Sequence, residues 1–279
     1  MVLDGALALA VPTKLGQALT VKPNSKKSIH WNSIDANGNI WFESVFKFKN
    51  NVFYSEEDNN FTKRLIEILN SVKQLNPSFF NSEEGYSITT KLDFPQIWGL
   101  GSSSTLIKNI AKWTNVDAYK LLELTFGGSG YDIACAAHNS AITYQLNSKR
   151  NIKEVDFKPN FSNQLFFIHL NQKQNSREGI KHYNSFKNNI TKDIKAISDI
   201  TLKIINCTTL NSFEALILEH ENIISKITKQ DTIKNRLFRD YNGAIKSLGA
   251  WGGDFILASG SLKDMEYFTK RGYTTIVKY

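Results

Sequence analysis

Residues 95–105 have the sequence PQIWGLGSSST, a glycine- and serine-rich loop between a strand-like run, Tyr86 to Phe94, and a helix-like run, Leu106 to Trp113. Such a junction leaves backbone N–H groups unpaired at a helix N-terminus, where the helix dipole favours an anion. Glycines let the backbone approach a phosphate, and serine hydroxyls can hold phosphate oxygens or a magnesium ion. The lysine of a Walker P-loop is absent. The loop predicts a different phosphate cradle or, alternatively, an ordinary turn that caps a helix.

Composition and charge narrow the class of partner. The chain has 279 residues, of which 41% are hydrophobic and 22% charged, as expected of a globular protein with one large or two ordinary domains. A net charge of +8 favours anionic partners. Lysine and asparagine are spread along the whole chain, and no basic cluster interleaves with aromatic residues. We therefore expect a small anionic substrate and no nucleic acid.

The sequence predicts neither a membrane span nor a transition-metal site. No run of roughly 18 apolar residues occurs, and the apolar stretch Val2–Val11 carries Asp4 and has no basic start, so we interpret it as a strand rather than a signal peptide. The two cysteines, Cys135 and Cys207, have no metal-binding spacing and fit a reducing cytosol. We expect a cytoplasmic protein, and a homodimer is compatible with that expectation.

The first half of the chain predicts mixed α/β structure. Alternating apolar residues suggest a β-meander of three strands, and an apolar stripe over Phe61–Leu75 predicts a helix. Asp117 is expected to cap a later helix that Gly127 and Gly128 end. The predicted strands of the meander are Leu15–Val21, Lys27–Asn32 and Asn39–Phe48.

The second half predicts an α+β sandwich of the ferredoxin kind. A buried strand at Leu165–Leu170 precedes a span, Lys192–Lys246, that has the pattern of three consecutive amphipathic helices. The tail should form a strand, a helix and a strand, at Phe255–Ala258, Ser261–Lys270 and Tyr273–Val277. We place the domain boundary near Asn151, which gives domains 1–150 and 151–279.

Two further glycine segments accompany the first. Residues 127–134 have the sequence GGSGYDIA, in which Asp132 opens an apolar helix. Asp132 is either a helix cap or a carboxylate that accepts a proton from a substrate hydroxyl. Residues 249–254 have the sequence GAWGGD, which taken alone is typical of a tight turn.

Together the three segments resemble the motifs of the GHMP kinase superfamily, the small-molecule kinases for galactose, homoserine, mevalonate and phosphomevalonate. Pro95–Ser103 matches the ATP loop P-x-x-x-G-L-G-S-S, and Gly128–Ala134 matches the segment with the catalytic aspartate. Gly249–Asp254 matches the C-terminal motif, with Trp251 where glycine is usual. The string GYDIA at residues 130–134 is similar to that of GYDIA-type members.

The resemblance implies the two-domain GHMP kinase fold, α+β in class, with an N-terminal α/β nucleotide-binding domain and a C-terminal ferredoxin-like domain. It also implies ATP and Mg²⁺ as cofactors, with Asp132 as the catalytic aspartate and Ser103 as a magnesium ligand. The residues implied to bind ATP are Pro95, Gly99, Leu100, Gly101, Ser102, Ser103, Ser104, Gly249, Gly252 and Gly253.

Two weaker assignments follow from the same resemblance. Lys173, Ser176 and Arg177 resemble the loop that contacts the acceptor in mevalonate-pathway kinases, although a solvated basic helix start explains them equally well. Glu123 lies on the helix that supplies a second magnesium ligand in mevalonate kinases, but its spacing to Asp132 differs from the family's. We favour an ordinary solvated residue for Glu123.

One departure concerns the family's opening motif, P-G-K-x-x-x-x-G-E-[HY]. The chain begins with MVLDGALALA, which resembles the residues just after that motif, so the first strand and its lysine are expected to be missing. The leading hypothesis is an ATP-dependent kinase of mevalonate or phosphomevalonate in isoprenoid precursor synthesis. The alternative hypothesis is a catalytically weak, nucleotide-binding pseudokinase with a regulatory role.

Overall fold

The computed structural model describes residues 1–80, 85–173, 176–251 and 253–279, without the side chains of Ser176 and Arg177. In that part of the chain the helices are α1 (Asn60–Leu75), α2 (Ser102–Thr114), α3 (Ala118–Thr125), α4 (Tyr131–Ala136), α5 (Ser176–Phe186), α6 (Thr191–Ile205), α7 (Leu210–Thr228), α8 (Ile233–Leu237) and α9 (Glu266–Thr269). The strands are β1 (Ala8–Ala10), β2 (Gln17–Asn24), β3 (Ile29–Ile34), β4 (Ile40–Lys49), β5 (Val52–Tyr54), β6 (Gly85–Leu92), β7 (Ile142–Leu146), β8 (Arg150–Glu154), β9 (Leu165–His169), β10 (Ile245–Ser247), β11 (Phe255–Ser259) and β12 (Ile276–Lys278).

The chain divides into two compact units. The central unit comprises Val11–Gln96 and Leu100–Asn139, and the terminal unit comprises Met1–Ala10, Ile97–Gly99 and Ser140–Tyr279. These units differ from the predicted ranges, because β1 pairs with β7 and so joins the first ten residues to the second half of the chain. The ranges 1–150 and 151–279 stay a prediction of the two family domains.

The central unit is built on a five-stranded sheet with the order β2-β6-β3-β4-β5. The apolar stripe of α1 was predicted from the sequence, and the Asn59 side chain caps its first turn by accepting from the Thr62 N–H. Helices α1, α2 and α3 bury their apolar faces in one core with the sheet. Its fully buried members include Trp31, Phe46, Ile68, Leu69, Ile88, Ile107, Ile110 and Leu121.

The predicted β-meander is only partly correct. β3 and β4 form the expected antiparallel hairpin, but β6 lies between β2 and β3, antiparallel to β2 and parallel to β3. Gly85 permits this insertion, because a Cβ there would lie 2.4 Å from both the Asn24 side-chain oxygen and the Ser28 carbonyl oxygen. β2 and β3, which follow each other along the sequence, are therefore not neighbours in the sheet.

The terminal unit contains a three-stranded sheet, β1-β7-β8, and an antiparallel four-stranded sheet, β10-β11-β9-β12. In the second sheet the chain runs from β9 through helices to β10 and β11, then through α9 to β12. This is the βαββαβ arrangement of the ferredoxin kind that the sequence predicts.

Two predictions for the terminal unit need correction. The third predicted helix before Lys246 is only the short α8, and residues 245–247 instead form β10, which pairs with β11. Gly243 permits this pairing, because it approaches the Ser259 carbonyl oxygen too closely for any side chain. The stretch Val2–Val11 is a strand only over Ala8–Ala10. Before it, a 3-10 turn at Val2–Asp4 ends at Gly5 with φ 89°.

Among the described residues, no helix combines the length and apolar character needed to span a bilayer.

Candidate functional site

The glycine–serine loop lies, as predicted, between a strand and a helix. β6 ends at Leu92, a 3-10 turn covers Gln96–Trp98, and α2 begins at Ser102. Gly99 and Gly101 both have left-handed backbones, with φ values of 65° and 76°. Side chains adopt such φ values at a cost, which explains glycine at both positions.

The first turn of α2 is open for an anion. The first backbone hydrogen bond of the helix runs from the Thr105 N–H to the Gly101 carbonyl. Among the described residues, nothing accepts from the N–H groups of Ser102, Ser103 and Ser104, and Ser103 is exposed. A Cβ on Gly101 would meet nothing within 4 Å, so there is room beside the turn. Unpaired donors, the helix dipole and free space fit a phosphate group.

Gln17 holds this helix on the sheet, a role that the sequence did not suggest. The Thr105 hydroxyl donates to Gln17 Oε1 at 2.8 Å, and Asn109 Nδ2 donates to the Gln17 carbonyl at 2.8 Å. Gln17 is the first residue of β2, so the position of the α2 N-terminus is fixed by the sheet of its own unit. No sequence motif marks Gln17, because its contacts arise only when α2 packs on β2.

Asp132 occupies the first turn of α4, which packs against α2 within the central unit. Gly130, with φ 81°, is the N-cap, and no side chain makes a capping hydrogen bond. The capping role that the sequence left open for Asp132 therefore has no hydrogen bond to support it. Among the described residues, no hydrogen bond or ion pair holds the Asp132 carboxylate.

The environment of Asp132 raises its pKa. The side chain is exposed to solvent, yet desolvation by the surrounding protein lifts the pKa of the carboxyl above its ordinary value. The exposure and the raised pKa are consistent with a carboxylate that a small solute can reach but that is only partly hydrated. Burial also raises the pKa of the neighbouring Cys135 thiol to about 11, which keeps it protonated and unreactive near neutral pH.

The third glycine segment precedes β11 in the terminal unit. Gly249 has φ 68°, and Trp251 also has a left-handed backbone with φ 57°. A left-handed backbone costs a side-chain-bearing residue roughly 1–2 kcal/mol. The Trp251 ring packs on Tyr183 of α5 with ring centroids 5.0 Å apart, and this contact offsets the strain. Gly252 lies outside the described residues.

Asp254, the last residue of the third segment, packs against Gly99 within the terminal unit. Gly99 belongs to the terminal unit, and a Cβ built on it would lie 2.1 Å from Asp254 Cγ. The Asp254 carboxylate therefore rests on the backbone of Gly99, and the Asp254 carbonyl accepts from the Leu170 N–H at 2.9 Å. The sequence placed Asp254 in a motif but gave no sign of this contact.

A buried ion pair anchors the start of the third segment. Glu221 of α7 accepts from the Ser247 N–H and hydroxyl, both at 3.0 Å, and lies 3.2 Å from Lys246 Nζ. Burial alone would raise the pKa of Glu221, but the charge of Lys246 and hydrogen bonds from His220 and Ser247 lower it to about 2. Burial and the charge of Lys246 lower the pKa of His220 to about 4.

These two groups predict that acid destabilises the fold. In the unfolded chain His220 binds a proton below pH 6.5 and Glu221 below pH 4.5. In the folded chain His220 binds its proton only below about pH 4, and Glu221 only below about pH 2. Stability is therefore full above pH 6.5 and falls as the pH falls. We expect a loss on the order of 2–4 kcal/mol between pH 7 and pH 4, measured by urea unfolding. Because His220 accounts for most of this loss, His220→Gln should flatten the slope. Glu219→Gln, at an exposed position on the same helix, should leave it unchanged, and equal slopes for the two variants would contradict the assignment.

The weaker sequence candidates are placed as follows. Lys173 is exposed just after β9, and Ser176 begins α5, but the side chains of Ser176 and Arg177 lie outside the described groups. Glu123 is exposed near the end of α3. Among the described residues, no three His, Cys, Asp or Glu side chains cluster to hold a metal ion.

No family model and no curated protein matches the chain. Solved structures do match it over almost its full length. L. major mevalonate kinase in complex with R-mevalonate has a TM-score of 0.67 at 13% identity, over 100% of this chain and 90% of that one. The chain has the fold of a GHMP kinase.

Other neighbours carry the same fold with different named substrates. Streptococcus pneumoniae phosphomevalonate kinase, in complex with phosphomevalonate and AMPPNP, has a TM-score of 0.67 at 12% identity, over 99% of this chain and 94% of that one. A D-glycero-D-manno-heptose 1-phosphate kinase from Bacteroides thetaiotaomicron has a TM-score of 0.64 at 14% identity, over 99% of this chain and 88% of that one. The predicted α+β GHMP kinase fold is confirmed, and this fold serves several acceptors.

Proposed function

We propose that this protein is an ATP-dependent kinase that transfers the γ-phosphoryl group to a small anionic acceptor. The observation that carries the proposal is the pairing, within the central unit, of an open helix N-terminus with an accessible carboxylate of raised pKa. The first turn of α2 has the unpaired N–H groups that a phosphate needs, and Asp132 lies on α4, which packs against α2. Phosphoryl transfer needs these two elements, since it depends on positioning and charge stabilisation.

ATP and Mg²⁺ are the proposed cofactors, and the residues at the loop fit them. The N–H groups of Ser102, Ser103 and Ser104 would donate to phosphate oxygens, and Gly99 and Gly101 would let the backbone approach them. The exposed Ser103 hydroxyl suits a magnesium ligand, with Glu123 as a second candidate. A bound Mg²⁺ neutralises charge on the phosphates during transfer. Contacts from Pro95, Leu100, Gly249, Gly252 and Gly253 are proposed on the family resemblance alone.

Asp132 is proposed to act as the general base when the acceptor is an alcohol. The acceptor oxygen forms a bond to the γ-phosphorus, the bond from that phosphorus to the β–γ bridging oxygen breaks, and ADP leaves. The hydroxyl proton passes to Asp132. A raised pKa improves this base, because transfer is most favourable when the pKa of the base approaches the working pH.

Mevalonate or phosphomevalonate is the proposed acceptor, as an intermediate of isoprenoid precursor synthesis. The net charge of +8 favours an anionic acceptor, and the exposed Lys173 follows β9 where the family places acceptor contacts. Several structural neighbours are mevalonate or phosphomevalonate kinases by name. The free thiols of Cys135 and Cys207 support a cytoplasmic location.

The second candidate is the pseudokinase, which one observation favours. The pKa of Asp132 responds to desolvation alone, and among the described residues no cation pairs with its carboxylate. A kinase of this fold gains from a cation near the aspartate, because a positive charge there would stabilise the carboxylate and the transferred group. A nucleotide-binding protein without phosphoryl transfer needs no such cation.

The test is ADP release with magnesium-ATP and a panel of acceptors. The panel contains mevalonate, phosphomevalonate, galactose, homoserine and a heptose phosphate, and ATP binding is measured in parallel. We expect turnover with mevalonate or phosphomevalonate. Turnover with a sugar alone would reassign the acceptor. ATP binding without turnover on any acceptor would favour the pseudokinase.

Ser103→Ala tests the magnesium assignment. Removing the hydroxyl should weaken ATP binding roughly 10- to 100-fold in the presence of Mg²⁺, the loss expected for a contact to a charged group, and change it little in EDTA. Isothermal titration with and without Mg²⁺ measures both. Ser104→Ala, the matched control, should keep the magnesium dependence of the wild type. An unchanged magnesium requirement in Ser103→Ala would remove this serine from the metal site.

A further inference from the structure

Helix α5 and the glycine segment 249–251 meet at two neighbouring points on one face of the helix. Gly179 is buried there, and a Cβ on it would lie 2.8 Å from the Ala250 Cβ and 2.9 Å from the Ala250 carbonyl oxygen. Four residues later, and so on the same helix face, the Tyr183 ring packs on the Trp251 ring. The backbone of the segment thus lies directly on α5.

Tyr183 is itself fixed from its other end. The side chain is fully buried, and its hydroxyl donates to Asp4 Oδ2 at 2.7 Å. Lys187, the residue that follows α5, forms an ion pair with Asp4 Oδ1 at 2.7 Å. A ring held at both its hydroxyl and its face has little freedom, so the contact with Trp251 fixes the segment relative to the helix.

The strained backbone of Trp251 indicates that its ring has a positioning role. A left-handed φ of 57° is less favourable for tryptophan than for glycine. The packing of the Trp251 ring against Tyr183 and its apolar neighbours offsets this strain. Filling a core would not require a residue at such a φ. The ring does add a contact between the segment and α5, through Tyr183.

We propose that Trp251 is a positioning residue that holds the N-terminus of α5 in register with the glycine segment. This inference rests on the proposed function, since α5 begins at Ser176 beside the predicted acceptor contacts and the segment is predicted to contact phosphate. The contacts at Gly179 and Tyr183 fix helix α5 and the glycine segment 249–251 relative to each other. The position of the glycine segment therefore sets the orientation in which the α5 N-terminus contacts the acceptor.

The first arm of the test needs no ligand. Hydrogen exchange of amides 179–186 is compared in the wild type, Trp251→Ala and Trp251→Phe. Both variants keep a side chain at the left-handed φ, but only phenylalanine keeps a ring on Tyr183. We expect exchange in α5 to rise roughly two- to tenfold in Trp251→Ala and to return near the wild-type rate in Trp251→Phe. Exchange in β6 of the central unit should not change.

Two outcomes of this arm would overturn the proposal. If α5 and β6 exchange faster to the same extent in Trp251→Ala, Trp251 only contributes to global stability. If α5 exchange does not change, the ring does not hold the helix. Neither outcome depends on whether the protein is a kinase.

The second arm connects the contact to the reaction. In Trp251→Ala the KM for the acceptor should rise roughly two- to tenfold while kcat stays within about twofold, and Trp251→Phe should restore the KM. A fall in kcat with an unchanged KM would contradict positioning of the acceptor side. If no acceptor is turned over at all, the proposed function fails, and the exchange arm still decides the contact.

Discussion

Asp132→Asn is expected to abolish phosphoryl transfer while ATP binding remains largely intact. The amide keeps the size of the side chain but cannot accept the acceptor's proton, and general-base help of this kind contributes about 10²- to 10⁴-fold in rate. Since the carboxylate makes no capping hydrogen bond, the fold should not depend on it. Steady-state ADP release, isothermal titration with ATP and thermal unfolding measure the three quantities.

Asp117→Asn is the matched control. Asp117 is another exposed carboxylate at a helix start, but it caps α3 by accepting from the N–H groups of Tyr119 and Lys120. Asparagine caps almost as well, so this variant should retain both turnover and stability. If Asp132→Asn lost ATP binding and turnover equally, Asp132 would have a structural role rather than a catalytic one.

Gly99→Ala is expected to have the largest effect on stability. A methyl group at Gly99 would lie 2.1 Å from Asp254 Cγ, and the backbone φ of 65° is itself unfavourable for alanine. Overpacking and left-handed strain together should cost about 2–5 kcal/mol. Because the loop must shift to relieve the clash, ATP affinity should fall roughly tenfold or more. Urea unfolding and isothermal titration measure these losses.

Gly101→Ala separates the two causes. Its φ of 76° is just as unfavourable, but a Cβ there meets nothing within 4 Å. We expect this variant to lose only about 1–2 kcal/mol. The double variant Gly99→Ala/Asp254→Ala should recover part of the loss of Gly99→Ala, because the clashing carboxylate is gone. Equal losses in Gly99→Ala and Gly101→Ala, without recovery in the double variant, would show that Asp254 does not pack on the loop.

The local elements were largely predictable, whereas the order of the strands was not. The helix stripe of α1, the Asp117 cap and the strand–loop–helix junction at residues 95–105 depend on neighbouring residues, so periodicity and capping rules suffice. The position of β6 between β2 and β3 depends on pairing across more than fifty residues. Gly85, which makes room for that pairing, looks in the sequence like any turn glycine.

The same distinction applies to the candidate site. The glycine segments and Asp132 carry local motifs, and their predicted roles rest on resemblance. The groups that hold them in place, such as Gln17, Tyr183 and Glu221, carry none, because their contacts join positions far apart in the chain. Trp251 was visible as a departure from the family motif. Its packing on Tyr183 and its left-handed backbone became evident only in the folded chain.

Transfer of a labelled γ-phosphoryl group tests the central claim most directly. The wild type and Asp132→Asn are each incubated with magnesium-ATP labelled at the γ-position and with mevalonate or phosphomevalonate, and label in the acceptor is followed over time. We predict label in one acceptor with the wild type and a loss of about 10²- to 10⁴-fold in Asp132→Asn. Equal labelling by both proteins would contradict the role of Asp132. Bound ATP with no labelled acceptor from the wild type would contradict the kinase itself.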